Sequence, residues 1–236
     1  MLMYAPAAGR SVPCSSPEPT DRSLPPALRL LDGGGTVTPL RRRAALALGG
    51  LTARTPSAGE HLVTALDTRG SAYWIPAAAV WSDAEAGAEH LHATGLATAR
   101  TWAAVTVAGL SDRLGWEAVL HIEAGGDLPA VPDEVLDGIE IDERQVVVLD
   151  GRLDHTIPTV VVLGPDVTRW GAGASWDRAL RRALYGPPGG DDPVGELRTL
   201  AAALGPAGLR PVTVDVGSAK LRDHGIMRGS VQLLVA

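Results

Sequence analysis

The chain has 236 residues, 45% of them hydrophobic and 20% charged, which supplies a sizeable core and excludes a wholly disordered protein. Its 27 acidic residues outweigh 21 basic ones, and the net charge of −6 argues against a nucleic-acid partner. The single cysteine, Cys14, excludes an internal disulfide and a cysteine-built zinc cluster, and no apolar run reaches the roughly 18 residues of a membrane span.

One cysteine fits a reducing compartment. No secretory apolar segment follows the N-terminus, so the expected location is the cytoplasm. Lys220 is the only lysine, and Phe and Asn are missing. We read that usage as a codon bias rather than as function.

Residues 5–26 hold Pro6, Pro13, Pro17, Pro19, Pro25 and Pro26 among small polar residues. Prolines at that density prevent a helix or a central strand. We predict a disordered tail over residues 1–30 and a single domain over 31–236. Residues 41–54 read as an Ala/Leu helix weakened by Gly49 and Gly50, with Arg41, Arg42 and Arg43 on its solvated face. Residues 61–66 and 71–75 read as strands around a turn at Thr68, Arg69 and Gly70.

Thr101 is a candidate N-cap for a helix from Trp102 to about Leu114. A loop is expected over 124–134. Residues 145–149 and 159–163 are β-branched runs that suit buried strands, with Asp154 and His155 between them. Ser175 caps a helix over 176–185, stopped by Gly186 and Pro187. Pro193 opens another helix to residue 204. Residues 210–216 and 230–235 close the chain as strands.

Thr101-Trp102 and Ser175-Trp176 both open helices, and each tryptophan is followed eight residues on by a leucine, Leu110 or Leu184. One matched pair is read as convergent packing rather than a repeat array.

Recognisable catalytic motifs are lacking. There is no phosphate loop, no dinucleotide fingerprint and no nucleophile elbow. The six histidines are scattered, and His90 with His92 would give a metal only two ligands. Asp191 and Asp192 read as a turn or a helix N-terminus. The tryptophans read as core anchors, with Trp81 or Trp170 as a less favoured interface anchor.

The stretch from Thr94-Gly95-Leu96-Ala97 to Gly109-Leu110-Ser111-Asp112 resembles the YcaO family, whose strand carries T/N-G-x-A and whose next helix carries G-L-x-E-x-x-E-R. Tyr73-Trp74-Ile75-Pro76-Ala77 is similar to its V-W-V-P-A segment. Ile157-Pro158-Thr159-Val160 is similar to its G-V-P-V-V strand, and residues 179–184 to its A-L-x-R-A-L helix. Further pieces, at residues 47–54, 208–215 and 224–226, fall in the family's order.

The resemblance implies a YcaO-like α/β (α+β) fold, with mixed sheet layers and helices packed on them. It also implies ATP-dependent tailoring of ribosomal peptides, in which a backbone amide oxygen is phosphorylated and azoline or thioamide groups form. Magnesium held by glutamates would offset the triphosphate charge.

The departures fall on those glutamates. Gly50 and Ala53 stand at two of them, Gly115 at a third and Gly186 at a fourth, while Asp112 keeps a carboxylate. Arg54 and Arg182 keep their places, and Trp116 replaces an arginine. We therefore expect a short, degenerate member: a non-catalytic subunit that binds precursor peptide or pairs with an active cyclodehydratase.

One alternative is a divergent ATP-using subunit completed by a partner. Asp112, Arg54, Arg182 and Glu117 would then bind ATP, and Asp112 would bind magnesium. A second alternative is an unrelated α/β binding module. A homo- or hetero-oligomer is expected, without nucleic acid or membrane.

Overall fold

The computed structural model describes residues 51, 62–80, 94–137, 146–165, 167–186 and 192–235. β1 (Leu62–Asp67) and β2 (Ala72–Pro76) form an antiparallel hairpin in which Val63 faces Ile75. Its turn is built by Asp67, whose Oδ1 accepts from the backbone N–H groups of Arg69 and Ser71, both at 2.8 Å. β1 continues onto β7 (Leu209–Asp215), β7 onto β8 (Met227–Val235), and β8 onto β3 (Leu96–Ala99). The order of this five-stranded sheet is β2-β1-β7-β8-β3, and every pairing is antiparallel. β4 (Val147–Asp150), β5 (Thr159–Leu163) and β6 (Thr168–Ala172) form a second, three-stranded antiparallel sheet.

The long helix α1 (Trp102–Glu123) joins the two sheets. Thr101 caps it, its hydroxyl accepting from the Ala104 N–H at 3.2 Å. Leu110 and Leu114 are fully buried against Leu233 and Val231 of β8 and Ala172 of β6. One turn later Ala118 and Val119 pack on Val161 of β5. A helix covered on both sides needs no polar face, which explains why its apolar residues form no single stripe. Close approach is made by Gly109, where an added Cβ would lie 2.5 Å from the Gly95 oxygen and 2.5 Å from Val231 Cγ2.

The one-turn α2 (Asp133–Leu136) precedes β4. α3 (Trp176–Tyr185) covers the opposite face of the second sheet, with Ala179, Leu180 and Ala183 on Val160 and Val162. β5 is thus buried on both faces, and its unbroken Thr-Val-Val-Val-Leu run follows from that position. α4 (Pro193–Leu204) lies against α1 and places Leu200 and Leu204 in the same core as Leu110. Each such leucine contributes about 1.5–3 kcal/mol by leaving water. A short α5 (Ala219–Asp223) leads into β8.

The layered α+β arrangement expected from the sequence is the one observed. α3 and α4 keep their expected bounds, with Ser175 and Asp192 as caps and Gly186 at φ +84° as the stop. α1 runs to Glu123 rather than ending near Leu114, because tertiary contacts with β5 carry it past Gly115. β6 was not expected: its Gly171 breaks the strand pattern, and pairing with β5 imposes the conformation. The matched openings of α1 and α3 do not make equivalent helices, since one lies between two sheets and the other on an outer face. The expected tail, Cys14, Arg54, Trp81, His90, His92 and Asp191 lie outside the described residues, as does the helix expected at 41–54 except for Leu51, which makes a parallel β-bridge with Leu234 instead. Among the described residues no helix is long and apolar enough to cross a membrane.

Candidate functional site

Asp112 sits in the middle of α1 with both carboxylate oxygens engaged. Oδ2 accepts from the Gly95 N–H at 2.8 Å, and Oδ1 accepts from the Trp170 indole Nε1–H at 3.0 Å. Gly95 has φ +82°, and a Cβ there would lie 2.3 Å from the Val231 oxygen, so glycine is required. Burial raises the Asp112 carboxyl above its ordinary value, while the Gly95 and Trp170 hydrogen bonds and the Arg113 charge oppose that shift.

Gly115 lies three residues on, with its bare backbone under Trp170. A Cβ added to Gly115 would sit 2.3 Å from Trp170 Cδ1 and 2.7 Å from Cγ. Trp116 packs on the same indole, with ring centroids 5.4 Å apart at 51°. The position where the resemblance calls for a second glutamate is therefore occupied by an indole ring.

Glu117, on the same helix, pairs with Arg113 at 3.4 Å. Arg113 donates from Nη1 to Gln232 Oε1 at 2.7 Å. Gln232 in turn donates to the Ala79 carbonyl and to Ser230 Oγ, both at 3.0 Å. Burial lowers the Arg113 pKa and raises that of Glu117, and the charge of each partner opposes the shift.

Arg182 belongs to a different network. Its two terminal nitrogens bond Glu196 Oε1 and Oε2, each at 2.8 Å, and Nη1 also reaches the Ala172 carbonyl at 2.7 Å. Arg178 adds a 2.6 Å bond to Glu196 Oε2, and the Ala174 N–H donates to Oε1 at 3.2 Å. Glu117 is thus paired with Arg113 on α1, whose charge also acts on Asp112, while the terminal nitrogens of Arg182 go to Glu196 and Ala172. Gly186, at a glutamate position of the resemblance, is the C-cap of α3. Trp170 and Glu196 were not singled out as site residues from the sequence. Their partners lie 58 and 14 residues away, beyond the reach of local spacing.

A magnesium triphosphate site needs several free carboxylate oxygens. Among the described residues no three His, Cys, Asp or Glu side chains cluster to hold a metal ion. Asp112 already accepts two N–H donors, and Glu117 carries Arg113. Among the described residues the donor set does not fit the ion. A groove of about 530 Å³ lies elsewhere, between α2 and the start of α3, lined by Glu134, Val135, Asp137 and Trp176. The outer partner of Trp176 is Arg152, whose guanidinium lies 4.7 Å from the ring centroid.

No family model matches the sequence, and no curated protein matches it. Solved structures do resemble it. A heterocyclase solved with substrate and cofactor has a TM-score of 0.55 at 15% identity, and the match covers 82% of this chain and 36% of that one. This chain therefore spans about a third of the heterocyclase. YcaO from Methanopyrus kandleri, bound with AMPPCP and Mg2+, has a TM-score of 0.49 at 18% identity, over 78% of this chain and 67% of that one. The two sheets joined by α1, with α3 on the outer face, make a fold similar to that of the heterocyclase.

Proposed function

We propose that the chain is a non-catalytic YcaO-like subunit in the tailoring of ribosomally made peptides. It holds precursor peptide, or an active cyclodehydratase, on a heterocyclase framework. The observation that carries this reading is the engagement of Asp112, the one carboxylate kept at a metal position of the resemblance. Both its oxygens accept N–H donors, and an indole fills the place of the next acid. The polar groups that remain are joined to one another: Arg113 to Glu117 and Gln232, and Arg182 to Glu196.

The reading is tested by mixing the purified chain with an active cyclodehydratase and its precursor peptide. ATP hydrolysis and loss of one water per ring are then followed. The chain alone is expected to give neither product, and its addition is expected to lower the peptide KM of the active enzyme. Turnover of ATP by the chain alone, abolished by Asp112→Asn, would overturn the reading in favour of a divergent catalytic subunit.

A further inference from the structure

Trp170 performs two roles that no motif assigns to it. Its Nε1–H satisfies one oxygen of Asp112, and its ring lies where any side chain at position 115 would begin. Gly95, at the entry to β3, satisfies the second oxygen of Asp112. One carboxylate thereby ties the edge of the five-stranded sheet to β6 of the three-stranded sheet across α1. A buried carboxylate without partners carries a large desolvation penalty, and two N–H bonds offset part of it where a cation does not. The indole also covers the backbone that would have to carry a second acid.

We infer that Trp170 closes this face of α1 to a divalent cation and to a second carboxylate, and that Asp112 serves there as a strut between the two sheets. The inference goes beyond the scaffold reading: it rests on side-chain geometry and holds whether or not the chain serves a peptide-tailoring assembly.

The test is a reversal of sign. Inside a helix, alanine is better than glycine by about 1 kcal/mol where nothing obstructs it. Gly115→Ala is expected to lower Tm by about 3 °C or more in the otherwise native chain, because the new methyl meets the Trp170 ring. In a Trp170→Gly background, which removes the ring and also the Cβ that would lie 2.8 Å from the new methyl, the same change is expected to leave Tm equal or higher. Manganese binding, followed by electron paramagnetic resonance, supplies a second readout.

The native chain is expected to show no binding that depends on Asp112. The variant Gly115→Glu/Trp170→Gly, shown to be folded by circular dichroism, is expected to bind Mn2+ about ten-fold more tightly than the native chain. Adding Asp112→Asn should remove the gain. A neutral or stabilising Gly115→Ala in the native chain would overturn the inference. So would Asp112-dependent Mn2+ binding by the native chain, or a folded double variant that binds no more tightly. If the double variant does not fold, the Gly115→Ala pair and the native titration decide. The Gly115→Ala pair reads packing alone, so its failure leaves the scaffold reading standing, whereas Asp112-dependent Mn2+ binding by the native chain would count against both.

Discussion

Arg182 on α3 and Glu196 on α4 form a two-bond ion pair, 2.8 Å at each contact, with side chains only 6% and 1% exposed. Ala172 and Ala174, at the end of β6 and just beyond it, add a carbonyl acceptor for Arg182 and an N–H donor for Glu196. The pair therefore fixes how two helices meet the end of the second sheet. Removing one member of such a pair leaves the other buried and uncompensated, at a cost of about 3–5 kcal/mol. Glu196→Gln is expected to lower Tm by about 10 °C in a thermal unfolding scan. The double change Arg182→Met/Glu196→Leu is expected to recover most of that loss, because no buried charge is left behind.

The same pair sets an acid limit. Burial alone would raise the Glu196 carboxyl, but the Arg182 bond and charge, the Ala174 N–H and the Arg178 bond outweigh it and hold the pKa below the ordinary value of 4.5. A carboxyl lowered in the folded state stabilises above its unfolded value, and that stability is lost as pH falls through the lowered one. Urea unfolding at a series of pH values is expected to show this loss below about pH 4.5 in the native chain and a flatter limb in Glu196→Gln.

His155 acts at a higher pH. It is buried in the connection between β4 and β5, and burial pushes its imidazole from 6.5 down to about 4, with Asp150 and Asp154 offsetting only part of the effect. The unfolded chain takes up this proton more readily than the folded one. The contribution is therefore complete above pH 6.5 and is lost as pH falls towards about 4. The full change amounts to about 3 kcal/mol. His155→Leu is expected to remove the slope between pH 6.5 and 4.5 while leaving the Glu196 limb in place, which separates the two groups by urea titration.

Gly109→Ala reads the contact between α1 and the first sheet. Helix propensity favours the change by about 1 kcal/mol. Backbone and a β-branched side chain 2.5 Å from the new methyl oppose it, since neither the Gly95 carbonyl nor Val231 has room to withdraw. A drop in Tm of several degrees is expected. An unchanged or higher Tm would show that α1 does not approach β8 this closely.

The fold was legible where local chemistry and tertiary position agree. Ser175, Gly186, Asp192 and Pro193 mark α3 and α4, and each acts at its helix end as expected. The β-branched run of β5 marks a strand covered on both faces. β6 was not legible, because Thr-Arg-Trp-Gly-Ala has no clear period and becomes a strand only against β5. The end of α1 was missed for a related reason: Gly115 weakens local propensity, and packing on Val161 overrides it.

At the site, the resemblance pointed to Asp112 and to glycines at positions where it implies acids. What replaces them was invisible, since Trp170 reaches Asp112 from 58 residues away. Arg182, a nucleotide-site candidate only in the alternative reading, lies with its terminal nitrogens on Glu196 and Ala172, a placement that spacing alone does not reveal.

The most direct measurement is a thermal unfolding titration of the purified chain with magnesium and ATP. A ligand at 100 times its dissociation constant stabilises by about 2.7 kcal/mol, which moves Tm by several degrees for a chain of this size. With Asp112 held by Gly95 and Trp170, Tm is expected to stay constant up to millimolar magnesium and ATP. A magnesium-dependent rise of several degrees, lost in Asp112→Asn, would contradict the non-catalytic reading.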